Sequence, residues 1–295
     1  MLQTSDPRND NIMVFIGGKF YQRNEAKVSV FDSSVQGGDA VWEGLRIYNG
    51  KVFCLAEHIA RLQASAKTLS FVDIPDLNYI TDAVYKTFKV NAMKDGAHAR
   101  MTLTRGVKIT SGMDPRLNQS GSCLIILAEW KPPVYDNTKG IKLITSSIRR
   151  NSPQCLDSKI HHNNLLNNIL AKIEANLSGA DDAIMLDLYG FVAETNATNL
   201  FIANNGELHT PLPDACLPGI TRGLVIKIAD ELGIKCTERN ISVSEFYNAD
   251  EIFTTGTMGE LTTVHEIDGR KIENNSGIKL LEKIYAAFRE KIVNS

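Results

Sequence analysis

The chain of 295 residues, 43% hydrophobic and 22% charged, is long enough for one large domain or two medium ones, each with its own core. Its 32 Lys+Arg against 34 Asp+Glu leave a formal net charge of -2, so nothing draws it generally to nucleic acid or another polyanion. No apolar run reaches membrane-spanning length, and the five cysteines, Cys54, Cys123, Cys155, Cys216 and Cys236, are odd in number and form no CxxC, as expected of reduced thiols in the cytoplasm. The opening MLQTSDPRNDN carries no secretion pattern.

Residues 13–16 and 27–31 read as strands around the Gly17-Gly18 turn. Residues 45–48 and 52–54 flank Asn49-Gly50, a dipeptide suited to the positive φ of a tight hairpin. In 56–69, Ile59, Leu62, Ala66 and Leu69 share one face at helical spacing, and 77–90 forms a second helix. Residues 97–104 and 122–129 return to strand character and complete a small α+β domain, 1–130. KPPVYDNTKG, 131–140, is the expected linker: its prolines remove backbone donors and the rest is polar.

A larger domain, 141–295, opens on the strand IKLITSS. A helix is expected over 159–176 with Leu166, Ile169, Leu170, Ile173 and Leu177 inward. A hairpin of 183–188 and 191–193 about Tyr189-Gly190 follows, then a strand at 200–203 closed by Asn204-Asn205-Gly206. LPGITRGLVIKIADELGI reads as a helix entered at Pro218 and ended at Gly233, with Ile220, Leu224, Ile228 and Leu232 as its stripe. Ser242 to Glu245 fits a capping box, 251–254 a strand, and Ile278, Leu281, Ile284, Tyr285, Phe288 and Ile292 one face of a terminal helix. The order lacks regular βαβ alternation, which argues against a TIM barrel or a doubly wound sheet.

Lys159 stands at the polar entrance of the expected helix, where Asp157 or Ser158 can cap the first turn. A lone lysine there is ordinarily a solvated surface group, but a neutral lysine amine forms a Schiff base with an aldehyde. Glu194 follows the apolar FVA and should emerge at a strand end. Buried there, it needs a cationic partner such as a protonated pyridine nitrogen; otherwise it caps a turn. Ile220 and Thr221 open a helix whose free N–H groups favour an anion. TTGTMGE, with Gly256, Thr257 and Gly259, can form an amide nest, and Arg61 lies off the Ile59/Leu62 stripe as a forked charge. No GxGxxG or P-loop pattern occurs, which argues against a dinucleotide or ATP fold but not against a monophosphate. Adjacent His161 and His162 cannot face one ligand along a helix, and His58, His98, His209 and His265 lack metal spacing, so no metal site is expected.

Five blocks carry a resemblance: FDSSVQGGDAVWEGLRIYNGKVFCLAEHIARLQASAK, SKIHHNNLLNNILAKIEA, GFVAETNATNLF, LPGITRGLVIKIADELGI and DEIFTTGTMGELTTVHEIDGR. Through them the chain resembles, over 15–270, the fold-type IV pyridoxal-phosphate-dependent aminotransferases of the branched-chain aminotransferase-like superfamily. The resemblance implies a two-domain α+β fold, pyridoxal 5'-phosphate as cofactor, and a homodimer or higher homo-oligomer with loops crossing near the active sites. It implies that Lys159 forms the internal aldimine and moves the proton between substrate Cα and cofactor C4′. By the same resemblance Glu194 pairs with the pyridine nitrogen, Arg61, Ile220, Thr221 and Thr257 bind the phosphate, and Leu217 packs on the ring. Trp42, Gly44, Arg100, Met258 and Gly259 map to the substrate region.

Departures from the family pattern bear on the substrate. Branched-chain enzymes usually carry an asparagine-tyrosine pair after the lysine, where this chain has Asn163-Asn164. They usually have a tyrosine where it has Gln36, and FEG where it has Trp42-Glu43-Gly44. Thr104-Arg105-Gly106 looks more like the D-amino-acid and amine-transaminase branches. The expected activity is transfer of the amino group of an L-branched-chain amino acid to 2-oxoglutarate in ping-pong half-reactions. Arg100 would attract a carboxylate, and Trp42 and Met258 would offer apolar area. The alternatives are a D-amino-acid or (R)-amine transaminase, an aminodeoxychorismate-lyase-like enzyme, and a non-catalytic binding protein of the same fold.

Overall fold

The computed structural model describes residues 5–137 and 139–294; residues 1–4 of the opening segment, Thr138 of the expected linker, and Ser295 lie outside the described residues. The architecture is α+β in two units. The first runs to Pro132 and also takes Ile160–Asn164, while the second holds Pro133–Lys159 and Leu165–Asn294.

The first unit contains β1 (Met13–Ile16), β2 (Lys19–Gln22), α1 (Ser33–Gly37), β3 (Ala40–Tyr48), β4 (Lys51–Val52), α2 (Leu55–Thr68), α3 (Leu77–Val90), β5 (Ala97–Thr104) and β6 (Cys123–Trp130). They build a six-stranded sheet in the order β2-β1-β6-β5-β3-β4. Gly17 and Gly18, at φ 54° and 92°, turn β1 directly into β2. The strand expected at 27–31 is therefore not β1's partner, and that stretch runs as irregular chain with Val30 and Phe31 exposed. Alternation along β3 and β5 divides the sheet into two faces. Val41, Leu45, Ile47, Ala97, Ala99, Met101 and Leu103 join Ile59, Leu62, Ile80, Val84 and Phe88 in the core. Trp42, Gly44 and Arg46 take the other face, where register sets Gly44 opposite Arg100 and Arg46 opposite His98.

The second unit contains β7 (Ile141–Thr145), α4 (Leu166–Leu177), β8 (Asp182–Leu186), β9 (Val192–Thr195), β10 (Asn199–Asn204), β11 (Glu207–Thr210), α5 (Ile220–Glu231), β12 (Cys236–Glu238), α6 (Val243–Tyr247), β13 (Glu251–Gly256), β14 (Glu260–Ile267), β15 (Arg270–Lys271) and α7 (Leu280–Asn294). The sheet runs β12-β11-β10-β13-β14-β7-β8-β9, with β15 beside β14. α6 is entered through the expected capping box, and α7 buries Leu280, Ile284, Phe288 and Ile292.

Two helices depart from expectation. α4 starts at Leu166 rather than at Lys159, and it is Ala171 and Ala175 that it buries against Ala183 and Met185. Small side chains let the helix lie close on β8, so the large ones point away. Leu166, Ile169, Leu170, Ile173 and Leu177 are all exposed instead of inward. α5 is rotated from its expected stripe: Thr221, Arg222, Val225, Ile228 and Ala229 are buried, while Leu232 is exposed.

Candidate active site

In the second unit, Lys159 lies in a turn, its backbone N–H donating to Asp157 Oδ1 at 2.9 Å. The side chain is 44% exposed, with Nζ 3.3 Å from Asp157 Oδ1 and 3.4 Å from the Asp214 carbonyl oxygen. Asp214 belongs to the segment 211–219 that connects β11 to α5. The same segment meets Glu194 of β9, because the Leu217 N–H points at Glu194 Oε1 at 3.4 Å. Asn199 Nδ2 bridges the two, donating to Glu194 Oε2 at 3.1 Å and to the Leu217 carbonyl at 2.8 Å. Glu194 is buried, and Arg150 Nη2 lies 2.8 Å from its Oε1. Cys216 sits among these groups: burial pushes its thiol up, Glu194 pushes it further, and Arg222, Arg150 and Lys159 oppose.

The start of α5 is uncapped by any side chain, since its N-cap is Gly219. A Cβ at Gly219 would fall 2.0 Å from Asn199 Oδ1, so a glycine is what allows the chain to pass the Asn199 bridge. Free N–H groups of Ile220 and Thr221 are therefore available to an anion. Thr257, Met258 and Gly259 form the turn between β13 and β14. The turn is tied down, as the Met258 carbonyl accepts from Val134 N–H at 3.2 Å and the Gly259 carbonyl from Asn137 Nδ2 at 3.0 Å. Thr255 Oγ1, just before it, is buried without a hydrogen-bond partner.

In the first unit, Arg61 sends Nε to Glu43 Oε1 and Nη2 to Glu43 Oε2, both at 2.7 Å. His58 Nδ1 at 2.7 Å and His161 Nδ1 at 3.1 Å flank the same carboxylate. Burial alone would push the Glu43 carboxyl up, but His161, Arg61 and His58 outweigh it and hold the group well below the usual range. Arg61, expected as a phosphate fork, thus has a carboxylate orienting two of its nitrogens. His161 and His162 are not helical: Trp42 N–H donates to the His161 carbonyl at 2.9 Å, and Trp42 lies 4.2 Å from the His161 ring.

Arg100 lies over the Trp42 ring at 3.9 Å and donates to Asn163 Oδ1 at 2.9 Å. Burial lowers its pKa. Beside it, Arg46 Nε and Nη1 and His98 Nε2 are buried without hydrogen-bond partners. Burial, helped by Lys131, Arg46, Arg100 and His58, pulls the His98 imidazole down to about 3, so it is neutral near pH 7. Gly44 leaves room over this cluster, since a Cβ there would come 3.3 Å from His98 Nε2.

Sequence reasoning missed Arg150, Asn199, Glu43, Arg46 and His98. Strand parity offered one signal, because Arg46 shares a face with Trp42 and Gly44. Arg150 offered none, as it lies in irregular chain and reaches Glu194 only through the fold.

The family amino-transferase class IV matches residues 40–267. Branched-chain-amino-acid aminotransferase-like protein 2 of Arabidopsis thaliana is 55% identical over 96% of this chain and 51% of its own length. The chain thus spans about half the length of the first curated relatives it matches. The branched-chain-amino-acid aminotransferase of Pseudomonas aeruginosa is 33% identical over 94% of this chain and 91% of its own. Among solved structures, the T.th. branched-chain amino acid aminotransferase complexed with N-(5'-phosphopyridoxyl)-L-glutamate superposes with a TM-score of 0.87 at 30% identity, covering 96% of this chain and 94% of that one. The span matched by the family takes in β3 to β14 and the Lys159–Glu194 site, and the chain belongs to the class IV, fold-type IV pyridoxal-phosphate-dependent aminotransferases, in their branched-chain aminotransferase-like family.

Proposed function

We propose that the chain moves the amino group of an L-branched-chain amino acid to 2-oxoglutarate, in two half-reactions that use one pocket in turn. The observation that carries the reading is the meeting of Lys159, Glu194 and Leu217 on the segment before α5. An accessible amine, a buried carboxylate and an uncapped helix start fit pyridoxal 5'-phosphate. Bound there, the cofactor supplies an aldehyde for the amine and a ring that draws electrons from the adjoining carbon. Lys159 Nζ would hold the aldehyde and, once the incoming amine has displaced it, would carry the proton between the substrate Cα and the cofactor's C4′ carbon. Glu194 would set a negative charge against the ring nitrogen, and Leu217 would pack on the ring. The N–H groups of Ile220 and Thr221, with the Thr221 and Thr257 hydroxyls, hold the phosphate. Within the first unit, Arg61 presents a fork that Glu43 orients.

Substrate carboxylates are assigned to the face bearing Arg100, Arg46 and His98. An anion there would satisfy the buried nitrogens of Arg46 and His98 that lack partners. Trp42 supplies apolar area on that face. Arg105, which resembles the D-amino-acid branch, is bound to Asp39 at 2.6 Å and stacked on Phe71, a structural tie that gives no support to a D-substrate. The exposed apolar stripe of α4 supports a homodimer. A cytoplasmic setting is supported by the free cysteines. No helix among the described residues is long and apolar enough to cross a membrane.

The test is a donor panel of L-branched-chain acids, their D-enantiomers and arylalkyl amines with several 2-oxo acids. Leucine, isoleucine and valine should all react, because one methylene is worth only roughly 1–3 kcal/mol in an apolar pocket. Faster turnover of the D-acid or the amine would overturn the substrate claim. Borohydride reduction should place the cofactor on Lys159, and Lys159→Ala should bind it poorly and lose transamination. An adduct on another lysine would overturn the site.

A further inference from the structure

Arg150 and Glu194 are 2.8 Å apart with side chains only 6% and 7% exposed. Neither charge can be left alone at such a depth without a large desolvation cost. Arg150 is held on several sides. Its backbone N–H donates to the Leu186 carbonyl at 2.9 Å, and its Nη1 donates to Asn168 Oδ1 at 3.0 Å. Asn168, on α4, is fixed by donating to the Asn196 carbonyl at 2.7 Å. The guanidinium therefore has one orientation, set by the irregular chain after β7, by β8 and by α4. On the opposite side, Asn199 donates to the second oxygen of Glu194. Glu194, Arg222, Arg150 and Lys159 all act on the thiol of nearby Cys216.

We propose that Arg150 is a positioning residue: it keeps Glu194 ionised and oriented, and by sharing that charge it limits how tightly the cofactor's pyridine nitrogen holds its proton. This rests on the pyridoxal-phosphate reading given above. Glu194 alone would bind the ring proton strongly. A second cation on the same carboxylate opposes that proton and withdraws part of the charge that favours it.

The experiment uses holoenzyme carrying pyridoxal 5'-phosphate labelled with nitrogen-15 in the ring, titrated by NMR for wild type and for Arg150→Gln. Removing the neighbouring cation should let the ring nitrogen keep its proton about tenfold more tightly, a rise of about one pH unit in its titration. Arg150→Lys, which keeps the charge, should fall back towards wild type. Asn168→Ala loosens the arginine without removing charge and should shift the titration less, in the same direction. It keeps the proposal testable if Arg150→Gln does not fold. A ring titration unmoved in both Arg150→Gln and Asn168→Ala, or in Asn168→Ala alone if the first does not fold, would make Arg150 a structural tie and overturn the proposal. Borohydride mapping of the wild type separates the two readings. No adduct on Lys159 would overturn both, whereas an adduct with an unmoved ring nitrogen would overturn only the role of Arg150.

Discussion

Glu194 is the residue where charge, burial and hydrogen bonding meet most closely. Glu194→Gln keeps the size and the Asn199 contact but removes the formal charge opposite Arg150. The half-reaction with a good donor should slow by roughly a hundredfold or more, the scale of losing one preorganised electrostatic partner. Single-turnover absorbance measures it, and an unchanged rate would make Glu194 a turn cap. His98 gives a second prediction, about stability. Burial holds its imidazole at about 3, down from 6.5. Between those values the unfolded chain takes up a proton that the folded protein refuses, so stability falls as pH drops through that window and is flat above 6.5. His98→Gln should flatten this acid slope, narrowing the stability difference between about pH 4 and about pH 8 by about 3 kcal/mol in chemical denaturation. A slope that stays as steep would place the acid sensitivity elsewhere.

At the scale of elements, α4 is the informative case. Its apolar period was legible in the sequence, but periodicity says only that one face differs from the other. Ala171 and Ala175 win the contact with β8 because they permit the closer approach, and the large residues are left outside. If that stripe joins two copies, Ile173→Glu should convert dimer to monomer while leaving the helical signal intact. Light scattering coupled to gel filtration reads the mass, and an unchanged dimer would assign the stripe another role. The segment 159–165 failed for a related reason. Residues 160–164 are fastened to β3, with Trp42 N–H on the His161 carbonyl and Asn163 N–H on the Ala40 carbonyl, both at 2.9 Å. Those long-range bonds replace the helical ones that local propensity would favour.

For the whole molecule, the chain enters the first unit twice, since Ile160–Asn164 returns to it. A protease nick within 131–140 should therefore leave two fragments that co-elute under native conditions and separate only in denaturant. Fragments that part without denaturant would show that the returning segment contributes little. We propose the same stretch, 131–140, as the linker between the domains. The sequence by itself determined the α+β class, most of the strands and helices, and the candidate residues Lys159, Glu194, Ile220, Thr221 and Thr257. Alternation, helical spacing, turn glycines and motif order are local properties, readable without knowing what each segment touches. Only the tertiary structure decided that Arg150 faces Glu194, that Arg46 and His98 join Arg100, that Glu43 takes hold of Arg61, and which face of α4 is buried. Each of these depends on which distant segments come within a few ångströms of one another, and on the desolvation that follows, neither of which is written in the local order of residues.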